Sequence, residues 1–227
     1  MSHFYVIATP IGNLGDLSIR AVEVLRQCDL IYCEDTRSSS VLLKHYNIET
    51  PARSFHQHNE HKRVEELIGR VKRGEVIGLI SDAGMPGISD PGFLAVRAAR
   101  QENLPVTVIP GADALTTALV SSGLPCDRFQ FEGFLPPKKG RQTRIKEIAG
   151  SEITTVIYES PHKLIRLLEM LREFCGEERW VAVVRELTKK FEETDRGMLG
   201  ELTDRWKQKE KIRGEFVVVV AGKGYEE

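Results

Sequence analysis

Val76-Ile77-Gly78-Leu79-Ile80 runs without a charged or polar side chain into Ser81-Asp82-Ala83-Gly84-Met85-Pro86-Gly87-Ile88-Ser89-Asp90-Pro91-Gly92, and this pair of segments decides the fold. A short continuous apolar run with no alternation predicts a strand buried on both faces, as parallel sheets use. The three glycines and two prolines of the next twelve residues set a fixed backbone that a ligand can approach closely. In open α/β sheets ligands bind beyond the carboxyl ends of the strands, so the loop is a candidate site as well as a connection. Asp82 stands at the strand end, where its carboxylate can accept hydrogen bonds from a ligand hydroxyl or amine. Read as structure alone, the segment is a tight loop in which Asp90 caps the following helix, whose apolar positions are Leu94, Val96 and Ala98.

The same texture extends outward. Residues 4–8 predict a buried strand that stops at Thr9-Pro10. Ser18 predicts the cap of a helix to Gln27 with Ala21, Val22, Val24 and Leu25 inward. Leu30-Ile31-Tyr32-Cys33 predicts a second strand and residues 37–46 a helix. A further helix over 60–73 repeats Val64, Leu67, Ile68 and Val71 at helical spacing. Residues 106–109 are another strand. This alternation predicts a parallel sheet with helices on both faces. Beyond Pro110-Gly111 the pattern resumes: a helix over 112–121, a strand over 129–134, an exposed loop at Pro136-Pro137-Lys138-Lys139-Gly140 and a strand over 153–158. A helix with Pro161 in its first turn and strands over 180–185 and 216–221 complete it. Two α/β domains follow, residues 1–112 and 113–227.

The 227 residues are 41% hydrophobic and 29% charged, enough for a real core. A net charge of −1 excludes a wholly basic nucleic-acid coat, so any RNA contact must come from a local patch. Cys28, Cys33, Cys126 and Cys175 form no Cys-x-x-Cys pair and read as reduced thiols in or near the core. Apolar runs fall far short of the ~20 residues of a membrane helix, and no cationic region precedes the first of them. A cytoplasmic protein with no membrane contact is expected.

Four more segments carry polar groups at strand exits or in loops. Thr9-Pro10-Ile11-Gly12-Asn13-Leu14-Gly15-Asp16 matches neither the dinucleotide fingerprint nor the P-loop. Cys33-Glu34-Asp35-Thr36-Arg37 places two carboxylates and a guanidinium where they can bind substrate or serve as a base; read structurally, they favour a helix start. Phe55-His56-Gln57-His58-Asn59-Glu60-His61 holds three histidines without a matching ligand set, so no metal is expected, and its polar groups suit substrate contacts or a surface loop. Tyr158-Glu159-Ser160-Pro161-His162 is a strand exit of the second half. Lys138, Lys139, Arg141 and Arg144 form the clearest basic cluster, a solvated loop or, if RNA binds, its phosphate contacts.

Several of these segments together resemble the ribosomal RNA small subunit methyltransferase I family, a branch of the tetrapyrrole methylases. They are Ile7-Ala8-Thr9-Pro10-Ile11-Gly12-Asn13-Leu14-Gly15-Asp16, Cys33-Glu34-Asp35-Thr36-Arg37, His58-Asn59-Glu60, the 81–92 loop, Phe131-Glu132-Gly133-Phe134-Leu135-Pro136, Tyr158-Glu159-Ser160-Pro161-His162, Arg185-Glu186-Leu187-Thr188-Lys189 and Gly214-Glu215-Phe216. The likeness runs from residue 4 to about 221. It implies two α/β domains with S-adenosylmethionine in the cleft between them, a homodimer, and 2′-O-methylation of a cytidine in the decoding region of 16S rRNA within the small ribosomal subunit. Carried over by position, the cofactor residues are Ile11, Asp82, Ala83, Gly84, Met85, Asp113, Ala114, Leu115, Tyr158, Glu159, Leu187, Glu215 and Phe216. The chain departs from the family at Met85, where threonine is usual, and at Ala112-Asp113-Ala114, where Pro-Ser-Ala is usual. Many relatives continue past the last strand.

Methyl transfer from a sulfonium asks the protein for alignment and a place for the leaving proton. A ribose hydroxyl is a poor acid, so a base helps. Glu34 or Asp35 is expected to hold or deprotonate the 2′-hydroxyl, and Arg37 to engage phosphate. His58, Asn59 and Glu60, with Lys138, Lys139, Arg141 and Arg144, are the expected substrate contacts. A corrinoid or porphyrin methyltransferase shares the fold, and a non-catalytic RNA-binding relative is the alternative of another class. RNA as acceptor separates the two enzymes, and cofactor binding separates both from the third reading.

Overall fold

Alternation along β1 (His3–Ile7) shows how the first half is built. Phe4 and Val6 point into one core with Tyr32, Phe55, Leu67 and Ala95. Tyr5 and Ile7 point into the other with Ala21, Leu25, Ile31 and Cys33. Strand side chains change face at every residue, so an apolar run buries both faces only when helices cover both. The computed structural model describes residues 2–227, and the chain divides into two compact units, Met1–Asp113 and Ala114–Glu227.

The first unit adds α1 (Ile19–Gln27), β2 (Leu30–Cys33), α2 (Thr36–His45), β3 (Ala52–Ser54), α3 (Glu60–Lys72), β4 (Val76–Leu79), α4 (Phe93–Gln101) and β5 (Val106–Ile109). Its sheet has the order β3-β2-β4-β1-β5, and every pair is parallel. Ser18 caps α1, its hydroxyl accepting from Ala21 N at 3.1 Å. In α4 the fully buried positions are Ala95 and Ala99, with Leu94, Val96 and Ala98 only half-buried, because small residues let the helix lie close on the sheet. Val108 on edge strand β5 stays 48% exposed.

The second unit contains α5 (Ala114–Ser121), β6 (Phe129–Phe134), α6 (Arg141–Gly150), β7 (Thr154–Glu159), α7 (Leu164–Cys175), β8 (Trp180–Arg185), β9 (Glu193–Met198), α8 (Leu199–Lys207) and β10 (Phe216–Val220). Its sheet, β6-β7-β10-β8-β9, is mixed and corrects the expectation that a parallel pattern resumes. Only β6 and β7 run parallel; β10 is antiparallel to β7 and β8, and β9 to β8. Pro161 does not open α7: residues 161–163 form a turn in which Lys163 N donates to Ser160 O at 3.0 Å, and the helix begins at Leu164. Leu164, Leu167, Leu168 and Leu171 pack with Trp206, Phe216 and Val218 in one core. Among the described residues no helix is long and apolar enough to cross a membrane. All four cysteines are free; Cys28 and Cys33 are buried and Cys175 half-buried, but Cys126 is exposed and stands outside the core.

Candidate functional site

In a parallel sheet all carboxyl ends lie on one edge, so the exits of β1, β2, β3 and β4 come together in the first unit. The β1 exit and the loop after β4 are tied by a two-way bridge: Thr9 N donates to Gly84 O at 2.9 Å and Gly84 N to Thr9 O at 3.0 Å. The Thr9 hydroxyl reaches Ser81 O at 3.1 Å, and the Ser81 hydroxyl reaches Gly84 O at 3.1 Å. Gly84 has φ +83, and a Cβ there would meet Ile11 Cγ2 at 3.5 Å and Ala112 O at 3.9 Å. Ile11, the 82–85 loop and the segment leading to Asp113 therefore converge. Gly92, with φ +140, is held from the far side, its N–H donating to Glu60 Oε1 at 3.0 Å. It is Gly92, not Asp90, that occupies the cap of α4.

This cradle fits S-adenosylmethionine. Asp82 and Ala83 are exposed, so the Asp82 carboxylate can meet a hydroxyl or amine while glycine backbone approaches the ligand. Met85 is half-buried and packs against the core around Phe4, Val6 and Tyr32. Its side chain is thus directed to the core. Asp113 is half-buried just ahead of α5, and Ala114 and Leu115 begin that helix.

The carboxylates of this edge differ sharply. Asp35 caps α2, accepting from Arg37 N at 2.8 Å, and pairs with Arg37 Nη2 at 2.7 Å. The Arg37 hydrogen bonds hold its carboxyl down at about 2. Asp35 N donates to Asp82 Oδ1 at 3.1 Å, joining the exits of β2 and β4. Burial pushes Glu34 above the usual carboxylate range, helped by the charges of Asp82 and Asp35 and opposed by His56. Burial likewise pushes Asp90 up to about 6, with Glu34 and Asp82 adding to it and the Ser81 hydroxyl opposing. Both carboxyls therefore hold a proton more tightly than an ordinary exposed carboxylate.

The raised Asp90 pKa sets a pH-dependent stability. In the unfolded chain Asp90 titrates near 3.8 and in the folded chain near 6, so its ionisation penalises the folded state above pH 6 and not below pH 4. Asp90→Asn is expected to raise Tm at pH 8 by a few degrees, with the gain vanishing at pH 4. Calorimetric melting at both pH values checks it; an equal shift at both would remove the electrostatic cause.

The other expected substrate groups divide. His58 is exposed. Glu60 is spent on Gly92. Asn59 is spent within its own turn, Oδ1 accepting from His56 N at 2.9 Å and Nδ2 donating to Ser54 O at 3.4 Å. Among the described residues no three His, Cys, Asp or Glu side chains are grouped to hold a metal ion.

In the second unit, Phe216 pairs with Glu159 on one side and Arg185 on the other, so the exits of β7 and β8 and the start of β10 share one edge. Leu187 is buried between Glu186 (φ 51) and Thr188 (φ 64), both left-handed. Glu186 N donates to Glu215 O at 3.0 Å, Glu215 N returns to Glu186 Oε1 at 3.0 Å, and Lys189 Nζ bonds both carboxylates. The five residues Tyr158, Glu159, Leu187, Glu215 and Phe216 are therefore neighbours on this edge, although Phe216 is 3% exposed and offers backbone rather than side chain. Tyr158 stands edge-on to Phe131 and Phe134, at 4.9 and 5.6 Å.

Arg141 is a correction. It is 3% exposed, and its Nη2 meets Glu159 Oε2 at 2.6 Å. Glu159 Oε1 accepts from Ser160 N at 2.8 Å, so both of its oxygens are spent inside the protein. The first turn of α6 carries Arg141 inward while Lys138 and Lys139 stay exposed. Arg144 remains half-exposed, paired with Glu147 at 2.8 Å and Glu132 at 3.6 Å. Two groups escaped the sequence reading. Asp90 looked like a cap, and His56 was one histidine among three.

A family model for the Tetrapyrrole (Corrin/Porphyrin) Methylases matches residues 3–203. A Synechocystis sp. protein named ribosomal RNA small subunit methyltransferase I is 48% identical, covering 98% of this chain and 80% of its own. A Thermotoga maritima protein of the same name is 41% identical, covering 98% and 100%. An Escherichia coli O157:H7 one is 44% identical, covering 96% and 77%. Among solved structures, diphthine synthase superposes with a TM-score of 0.74 at 16% identity, covering 99% of this chain and 91% of its own. Cobalt precorrin-4 methyltransferase does so at 0.67 and 14%, covering 97% and 95%; these two are likenesses of fold.

Proposed function

The chain belongs to the tetrapyrrole methylases and, within them, to the ribosomal RNA small subunit methyltransferase I family, and from that premise we propose that its acceptor is the 2′-hydroxyl of a cytidine in the decoding region of 16S rRNA. The methyl donor is S-adenosylmethionine. We place the reaction in the cytoplasm, on a homodimer acting on the small subunit. The observation that carries the proposal is the Glu34 carboxyl at the exit of β2, its proton affinity raised beside Asp82 and the cofactor loop.

S-adenosylmethionine, when bound, supplies a methyl group activated on a sulfonium, which an oxygen nucleophile takes by in-line displacement. Ile11, Asp82, Ala83, Gly84, Met85 and Asp113 from the first unit, and Ala114, Leu115, Tyr158, Leu187, Glu215 and Phe216 from the second, are our assignment of its contacts. Glu159 supports that edge from inside, through Arg141. Glu34 receives the 2′-hydroxyl proton. Asp35 is unsuited to that task because Arg37 already stabilises its charge. Arg37 is 90% exposed and uses Nε and Nη2 on Asp35; its outer face suits an RNA phosphate. Lys138, Lys139 and Arg144 in the second unit, and His58 in the first, add contacts to the RNA.

Methyl-labelled S-adenosylmethionine, incubated with the protein and small subunits lacking the modification, is expected to label 16S rRNA in an alkali-stable cytidine dinucleotide. Label confined to a base, or labelling of a porphyrinoid instead of RNA, removes the proposal.

A further inference from the structure

His56 lies two residues past the end of β3, and Phe55 N donates to Cys33 O at 2.7 Å, so the exits of β3 and β2 lie side by side and bring His56 next to Glu34. Asn59 fixes the imidazole. Its Oδ1 accepts from His56 N, which orients the amide with Nδ2 toward the ring, 3.0 Å from Nε2. An amide nitrogen has only hydrogens to offer, so Nε2 must supply the lone pair and the ring proton resides on Nδ1. That Nδ1 is buried and has no hydrogen-bond partner among the described residues. A buried donor without an acceptor is costly to keep, which points to an acceptor that arrives during the reaction. Of the carboxylates at the β2 and β4 exits, Glu34 is the one that feels His56, and Asp35, Asp82 and Asp90 surround Glu34; on its own segment the His56 ring meets that of His58 edge-on at 5.9 Å. Asp82, Asp35 and Asp90 all lie against Glu34 as like charges, and His56 is the neighbour that acts the other way, in favour of the Glu34 carboxylate.

We propose that His56 is a positioning residue: with its tautomer set by Asn59, it donates from Nδ1 to one Glu34 oxygen when the ribose is seated, leaving the other oxygen to accept the 2′-hydroxyl proton. The inference rests on Glu34 being the proton acceptor of the proposed reaction. It explains why Asn59 and His56 are bonded to each other rather than left open to substrate.

Two variants separate position from bulk. His56→Asn places an amide N–H near the Nδ1 position, whereas His56→Gln places its amide near Nε2. With full-length protein and small subunits, His56→Gln is expected to lower kcat by roughly 10–100-fold, a part of what general-base catalysis supplies, with KM for the subunit little changed. The acid limb of its kcat–pH profile moves to higher pH, because Glu34 loses the donor that favours its charge. His56→Asn is expected to recover most of the rate. Equal impairment of both variants, or a normal rate in His56→Gln, overturns the proposal. Nitrogen-15 imidazole spectra of the free protein read the tautomer without any turnover: Nδ1–H is expected, and Nε2–H overturns the proposal. If wild-type protein leaves small subunits unlabelled, the proposed acceptor fails, and the spectra still decide the tautomer on which the role of His56 depends.

Discussion

Glu34→Gln is expected to lower the methylation rate by roughly 10²–10⁴-fold, the usual scale of a positioned general base, while S-adenosylmethionine binding measured by calorimetry stays close to wild type. Glutamine keeps the size and hydrogen-bonding reach of Glu34 but cannot take a proton. Asp35→Asn is the informative comparison. It keeps an oxygen to cap α2 and loses only the exposed ion pair with Arg37, and it leaves the proton acceptor intact, so its rate falls far less. A base works only when ionised, and burial holds Glu34 above the usual carboxylate range. The wild-type rate therefore falls with decreasing pH at a higher pH than an ordinary glutamate would give. Single-turnover methylation of small subunits between pH 5 and 9 tests both points. A Glu34→Gln enzyme with the wild-type rate and an unchanged acid limb would remove Glu34 from the chemistry.

The distinction between Glu34 and Asp35 shows where sequence reading stops. Both follow the same strand, and both are carboxylates in one pentapeptide. What separates them is that Asp35 turns into α2 and meets Arg37, whereas Glu34 stays half-buried among like charges. Local signals were legible because their cause is local. Ser18 caps α1 through a hydrogen bond three residues away, and the apolar run at β2 buries on both faces because a core covers each face of the sheet there. Strand direction was not legible. Phe216–Val220 has the same uninterrupted apolar pattern as the parallel strands, yet runs antiparallel to both neighbours, since burial on two faces says nothing of polarity. β9, with its Glu193, Asp195 and Arg196, has no apolar run to mark it, because it is an edge strand.

The site was legible as a set of strand-exit loops and illegible as a network. Three histidines in one loop suggested a metal question. The fold replaces it with an amide–imidazole bond that sets a tautomer. Glu60, two residues from His58 in sequence but bonded to Gly92, acts as a strut thirty-two residues away. Such partners are fixed by which strands are neighbours in the sheet, and the spacing of residues along the chain carries no trace of that order.

Arg141→Ala is expected to destabilise the protein by about 3–5 kcal/mol, the cost of leaving a buried charge without its partner, and so to lower Tm by roughly 10 °C or more. The pair it breaks is nearly inaccessible to water, with both side chains 3% exposed and 2.6 Å apart. Removing Arg141 strands the Glu159 carboxylate where β7 leaves the sheet. Glu159 Oε1 already holds Ser160 N, so the loss extends to the turn before α7. The double variant Arg141→Met, Glu159→Gln removes both charges and keeps an acceptor for Ser160 N; it is expected to regain most of the stability, as apolar replacements of buried pairs do. Lys138→Ala and Lys139→Ala, on exposed loop positions, should change stability by about 0.5 kcal/mol or less. They should instead weaken binding of the small-subunit RNA and flatten its salt dependence. Thermal melting and RNA binding across a salt series separate the two kinds of cation. Unchanged melting in Arg141→Ala, with RNA binding lost as in the lysine variants, would return Arg141 to the phosphate-binding surface that its place in the sequence suggests.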